Sequence, residues 1–321
     1  MKNRNKSRRS SRPPLRAGAG DFKASRAVCR RSDIFTGSQG DETYDIRYAS
    51  GRREGAIIIS ATEGGRLDSH ALALLVVLCD LYARKQYRII QNKTTRMKRR
   101  AITTTPKKVI EMIYGVKRGK PSQTYYETLG LSRHQEAPGA LDSLTTVVIK
   151  RDSEWLDASG KSHRVVEAFH LVDSYRFHRI GNREYLQIFL SDELQTELGK
   201  LGRQQQWTLV PHAIIVGLGP KKHQALRVAL HILSHSPIPA HTGNPSRREI
   251  GATALVGIVR PDANRNPDRY PGRFRGLLTR IVDSIDAADP EHDWGLEPAA
   301  TDPIGKVTCT ENERKKGNMG R

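Results

Sequence analysis

The sequence predicts an α+β chain in which a plan of three short helices is laid down twice in tandem. Three observations predict it. Apolar residues recur at spacings of three and four in segments bounded by helix caps, and β-branched and aromatic runs follow the first set of helices. The 321 residues also exceed what one core usually holds, since single cores seldom grow past roughly 250 residues. The two ends read differently. From Met1 to Arg31 eleven basic residues face one acid, Asp21, with almost no aliphatic pattern, so residues 1–45 are expected to be a disordered basic arm. Asp283 to Asp302 holds seven acids and no Lys or Arg, and residues 287–321 are expected to form an acidic, flexible tail.

The first block spans 46–203. Ile57 to Ser60 is a short strand-like run, and Asp68 caps the helix "SHALALLVVLCDLYARK", whose Leu72, Leu75, Val76 and Cys79 form a stripe. Thr105 and Pro106 start a second helix, "PKKVIEMIYG", which closes at Gly115. The stretch "TYYETLGLSRHQEAPGALDSL" reads as helix at either end with a break near Pro138 and Gly139. Then come three strand-like runs, "TTVVIKR", "HRVVEAFHLV" and "EYLQIFLS", the first two joined by the turn "DASGK". Ser191 opens another helix to about Leu201.

The second block spans 204–286 and repeats the rhythm. "KKHQALRVALHILSH" carries Leu226, Ala229, Leu230 and Leu233 on one face. Ser246, with Glu249 at the capping-box position, starts "RREIGATALVGIV". After the loop "RPDANRNPDRYP" comes the third helix, "YPGRFRGLLTRIVDSI", residues 270–285. Helix, helix, helix and then a hairpin is the winged-helix plan, in which the third helix enters the major groove and the wing lies along the backbone or minor groove. Two tandem winged-helix domains are therefore expected.

Charge says what such modules would hold. With 54 Lys and Arg against 34 Asp and Glu, the net charge is +20, which points to an anionic partner and to nucleic acid first. In the 270–285 helix Phe274, Leu277, Leu278, Ile281 and Ile285 share one face, while Arg273, Gly276 and Arg280 lie roughly 120° away at about 100° per residue. Base reading in a major groove needs Arg at guanine or Asn and Gln at adenine. The candidates are Arg269, Arg273, Arg275 and Arg280, with Arg247 and Arg248 on the preceding element. In the first block Gln123, Arg133, His134 and Gln135 are the readers, and Lys107, Lys108, Lys117, Arg118 and Lys120 neutralise phosphates. Lys161, His163 and Arg164 sit at the tip of the first expected wing.

Other classes fit poorly. The apolar run Ala71 to Cys79 is far short of the roughly 20 residues that span a bilayer, and residues 1–20 lack the apolar core of a secretory signal, so a cytoplasmic protein is expected. Cys29, Cys79 and Cys309 are too few and too scattered for a disulfide framework or a zinc cluster. "GLGPKKH" at 217–223 lacks the phosphate-loop spacing, and His231 and His235 lack the intervening metalloprotease Glu. Tyr125 and Tyr126 have no His-hydrophobe-His site for DNA nicking. No enzyme, cofactor or metal is expected.

The segments "TPKKVIEMIYG", "ALDSLTTVVIKRD", "EYLQIFLSDEL", "ALRVALHILSH" and "NPDRYPGRFRGLLTRIVDSI" together resemble the plasmid replication initiator proteins with two tandem winged-helix domains, over about residues 57–285. The resemblance implies binding to repeated sites in a plasmid origin, recruitment of host replication proteins such as a helicase, and a homodimer in equilibrium with monomer. The second domain would then read the main half-site. A winged-helix transcriptional repressor is the first alternative, and a DNA-nicking or RNA-binding protein of a mobile element the second.

Overall fold

In the computed structural model, Asp68 opens the helix around which the rest of the chain is packed. The structure describes residues 21–30, 32–35, 44–50, 53–60, 67–91, 98–116, 121–132, 138–156, 159, 161–199, 207–219, 222–235, 237–238, 246–259, 270–289 and 291–311. The chain begins with β1 (Asp21–Ser25), α1 (Arg26–Arg30) and a 3-10 turn at Ser32–Ile34. Strands β2 (Tyr44–Ser50) and β3 (Arg53–Ser60) precede the central helix α2 (Ser69–Ala83). Asp68 Oδ1 accepts from the His70 and Ala71 N–H groups at 2.9 Å, the cap its position predicts.

The expected stripe on α2 understates its burial. Every residue from Ala71 to Cys79 is fully buried, because β1 covers one side while α3, α5, α6 and α8 pack on the others. A helix apolar all round is a core helix. Its one acid, Asp80, accepts from Arg84 Nε at 2.7 Å and from the Lys23 N–H at 2.9 Å, and Arg84 Nη2 donates to Asp21 O at 2.8 Å. Those bonds tie β1 to α2.

After α2 the chain forms β4 (Tyr87–Gln91), β5 (Lys98–Thr104), α3 (Pro106–Tyr114), α4 (Gln123–Leu129) and α5 (Ala140–Thr146). Thr105 Oγ1 caps α3, and Gly115 closes it at φ +66°, as predicted. Four strands follow: β6 (Val148–Leu156), β7 (Ser162–Phe169), β8 (Val172–Ile180) and β9 (Arg183–Leu190). Then come α6 (Asp192–Gly199), β10 (Trp207–Pro211), α7 (His212–Leu218), α8 (His223–Leu233) and β11 (Arg247–Gly251). A 3-10 turn at Ala252–Leu255 runs into α9 (Val256–Val259), and α10 (Pro271–Ala288), β12 (His292–Ala299) and β13 (Asp302–Glu311) complete the described chain.

Among the described residues all strand pairs are antiparallel. The sheets run β1-β10, β2-β3-β6-β7, β4-β5-β9-β8 and β11-β13-β12. One order of elements occurs twice: α2, β5, α3, α4 with α5, β8 and β9, then α8, β11, α9, α10, β12 and β13. In the first unit β5, the second strand after α2, pairs with the last strand β9, and in the second β11 pairs with β13. A single buried cluster runs through both. The fold is mixed α and β, as expected.

Four expectations are corrected. The arm does not stay unfolded to residue 45: Phe22, Ala24, Cys29 and Phe35 are buried, and β1 pairs with β10 from Asp21↔Pro211 to Ser25↔Trp207. The few apolar residues of that segment fill gaps in a core built elsewhere, which composition alone undervalues. The tail is likewise no tail over 292–311, because Trp294, Ile304, Val307 and Cys309 are buried on β12 and β13. Residues 247–251 are a strand, the local capping signal losing to pairing with β13. Finally, the β6–β7 hairpin carrying Lys161 and Arg164 pairs with β3; the hairpin joined to β5 is β8–β9.

Candidate nucleic-acid interface

Helix α10 begins with Pro271, whose fixed φ suits a first turn, and Tyr270 O accepts from the Arg273 and Phe274 N–H groups at 3.1 and 3.2 Å. Phe274, Leu278, Ile281, Val282 and Ile285 are buried against α7, α8, β12 and β13. Burying each such side chain stabilises by roughly 1.5–3 kcal/mol, so this face is locked. Arg273, Gly276 and Arg280 are exposed on the other side. The Arg273 guanidinium lies 5.2 Å from the Tyr270 ring centre, and Arg280 Nε points back to Gly276 O at 3.4 Å. Arg275 is half-buried. None of these three arginines meets an acid among the described residues. A side chain at Gly276 would touch nothing within 4 Å, so glycine leaves bare backbone open to close approach there.

The remaining predicted residues divide. Arg247 Nη2 pairs with Glu249 Oε2 at 3.1 Å, and Lys306 Nζ holds the same oxygen at 2.9 Å. The Lys306 bond holds the Glu249 carboxyl below its ordinary range, so Arg247 belongs to a cross-strand ion-pair network. Arg248 alternates to the other face and donates through Nε to His235 O at 3.0 Å. On α3, Lys107 Nζ is 3.9 Å from Glu111 Oε1, while Lys108 Nζ donates to Gln86 Oε1 at 2.6 Å. Burial pushes the Lys108 ammonium down from its usual range. Lys161 and Arg164 are exposed beside the β6–β7 turn, with His163 half-buried between them. Gln123 Nε2 donates to Ser132 Oγ at 2.7 Å. Arg269, Lys117, Arg118, Lys120, Arg133, His134 and Gln135 lie outside the described residues.

Sequence reasoning found β9 as "EYLQIFLS" but missed β8 (Val172–Ile180), and with it the β8–β9 hairpin. Its loop is Gly181 and Asn182, with Gly181 at φ +58°, and Ile180↔Arg183 is the last strand pair. Arg176, Arg179 and Arg183 lie along it. The signal was present: Tyr175 and Phe177 alternate with Arg176 and His178 before a Gly-Asn turn. Arg176 and Arg99 both stack on the Phe189 ring, at 5.6 and 5.1 Å from its centre, and Arg100 lies 5.4 Å from the Tyr87 ring centre. Arg99 also pairs with Asp173, and Arg100 Nη1 donates to the Tyr82 hydroxyl at 2.9 Å, so these stacked groups are held by more than the rings.

The break between α4 and α5 has a built geometry. Asp142 Oδ2 accepts from the Gly139 N–H at 2.9 Å, and the Tyr175 hydroxyl donates to Asp142 Oδ1 at 2.6 Å. A Cβ on Gly139 would come within 2.1 Å of the Gly130 nitrogen, so two stretches of backbone cross here in contact. Tyr126 donates to Glu184 Oε2 at 2.6 Å, and Tyr125 packs on Tyr114 with ring centres 4.6 Å apart. Both tyrosines are thus engaged in contacts within the first unit. Among the described residues no three His, Cys, Asp or Glu side chains gather as a metal site, and no helix is long and apolar enough to cross a membrane.

No family model and no curated protein matches this chain. Among solved structures the chain is similar to a crystal structure of domains 2 and 3 of RctB, at TM-score 0.53 and 10% identity, covering 89% of this chain and 98% of that one. At that identity the likeness is one of fold alone. It extends across both repeated units.

Proposed function

We propose that this chain is a sequence-specific double-stranded DNA-binding protein that initiates replication of an extrachromosomal element. In this reading the two repeated units are tandem winged-helix modules, with β5 beside β9 in the first and β11 beside β13 in the second. The observation that carries the proposal is α10, whose apolar face is locked in the core while Arg273 and Arg280 face outward beside an open glycine. Arginine on the exposed side of such a helix suits guanine edges, and the remaining basic surface suits phosphates. RctB is a replication initiator, and a fold shared with two of its domains supports the replication role. The protein acts without a cofactor or catalytic centre, works in the cytoplasm, binds origin repeats as a monomer in equilibrium with a homodimer, and hands the opened DNA to host proteins such as a helicase.

The test is the double variant Arg273→Ala, Arg280→Ala, titrated against duplexes carrying repeats that flank the gene. Each lost base contact costs on the order of 1–3 kcal/mol, so specific affinity falls by roughly 5- to 150-fold per arginine while the thermal midpoint holds. A double variant that binds as tightly as the parent at physiological salt removes α10 from the interface and this reading with it.

A further inference from the structure

A second cationic cluster lies at the opposite end of α10. His231, in the last turn of α8, and His235, just past its end, bring their Nε2 atoms within 3.3 Å. His231 Nδ1 contacts Arg30 O at 3.0 Å, and Arg248 Nε donates to His235 O at 3.0 Å. Arg26 and Arg30 on α1, together with His231, lie close enough to press on His235, and Arg26 in turn feels Arg30 and Arg248. The buried Nε of Arg26 meets no acceptor, and neither Arg26, Arg30 nor Arg248 forms an ion pair among the described residues. Three guanidinium groups and two imidazoles have been gathered from α1 and, some two hundred residues on, from the end of α8 and from β11.

Two imidazoles at this spacing suggest a metal, but three adjacent positive charges repel one and no third ligand joins them among the described residues. An oxyanion is the better occupant. It satisfies a stranded guanidinium nitrogen, neutralises the arginines and takes a hydrogen bond from a protonated His235. The surrounding groups on other elements are Cys309 and Glu311 on β13 and Asp289 beyond α10. The Asp289 carboxylate is already engaged by His292 and Trp294. The site is separate from the reading face: Asp289 and Arg273 are sixteen residues apart, about 24 Å at the helical rise.

We propose that Arg26, Arg30, Arg248, His231 and His235 form a phosphate-binding site, taking the phosphoryl oxyanion either of free phosphate or of a DNA backbone that runs past this end of the second unit. Burial foremost, with His231, Arg30 and Arg26, holds His235 down to about 4. Phosphate raises it by replacing repulsion with a partner, so occupancy takes up a proton and tightens as pH falls.

The experiment follows the His231 and His235 imidazole resonances of the full chain by NMR while inorganic phosphate is added at constant ionic strength in chloride. A saturable shift, with the His235 titration moving upward, is expected. Arg26→Gln weakens it on the order of 10-fold, the loss of a charge-assisted bond, and His235→Gln removes the upward titration in a chain whose melting is checked first. A parallel arm uses duplex DNA with Arg273→Ala, Arg280→Ala present, so that failure of the α10 reading leaves this test intact. Shifts with phosphate alone assign a free anion, and shifts with duplex assign a backbone contact. Folded protein whose imidazoles respond to neither beyond the chloride control overturns the site.

Discussion

Asp289 shows how one side chain can decide whether a segment is a tail or a strand. It is fully buried, which alone would raise its pKa, yet His292 Nδ1 and Trp294 Nε1 at 2.9 Å and the Glu291 N–H hold its carboxyl below the ordinary range. A carboxyl held down in the folded state stabilises fully above its unfolded value near 4 and loses that contribution as pH falls through the folded value. Asp289→Asn therefore lowers stability by roughly 1–3 kcal/mol at pH 7 and flattens its dependence on pH between about 5 and 2, as read by thermal melts across that range. In the sequence this residue was one of seven acids in a row of twenty, and its neighbours' burial was invisible. Arg273 and Arg280 were legible because helical spacing is local. Arg247 and Arg248 were not, since their opposite faces follow from a strand whose partner lies about sixty residues on.

At the scale of elements, the helices with their caps in sequence, α2, α3 and α5, fell where Asp68, Thr105 and the break at Gly139 put them. Strands β1, β10, β12 and β13 carried no such punctuation; each is stabilised by a partner, and Glu249 in a helix-start pattern ended on β11. The α4–α5 crossing is the element-level feature most open to a single change. Gly139→Ala places a methyl 2.1 Å from backbone that has no flexible end to yield, so the first unit loses on the order of 1–3 kcal/mol or more in a denaturant melt. Asp142 and Tyr175 would lose their alignment with it. An unchanged midpoint in that variant contradicts the close crossing.

For the whole molecule, the first described segment, from Asp21 to Phe35, is a structural member of both units. Lys23 and Asp21 bond to the α2 network, Ser32 Oγ donates to Arg227 O on α8 at 2.9 Å, and Phe22 and Phe35 are buried. Deleting residues 1–35, compared with a chain that begins at Asp21, should cost more than about 5 kcal/mol, because emptying one buried Phe site alone costs roughly 3–5. Calorimetry or denaturant melts decide it, and equal midpoints for the two chains would refute the clasp. The pairing of β1 with β10 also sets a timetable for biosynthesis. Residues 21–25 leave the ribosome almost two hundred positions before their partner at 207–211, and at roughly 5–20 residues per second that is a delay on the order of 10–40 s. Through that interval the nascent chain holds an unmatched edge and a half-covered α2, which makes it a client for whatever guards emerging polypeptides until the second unit arrives.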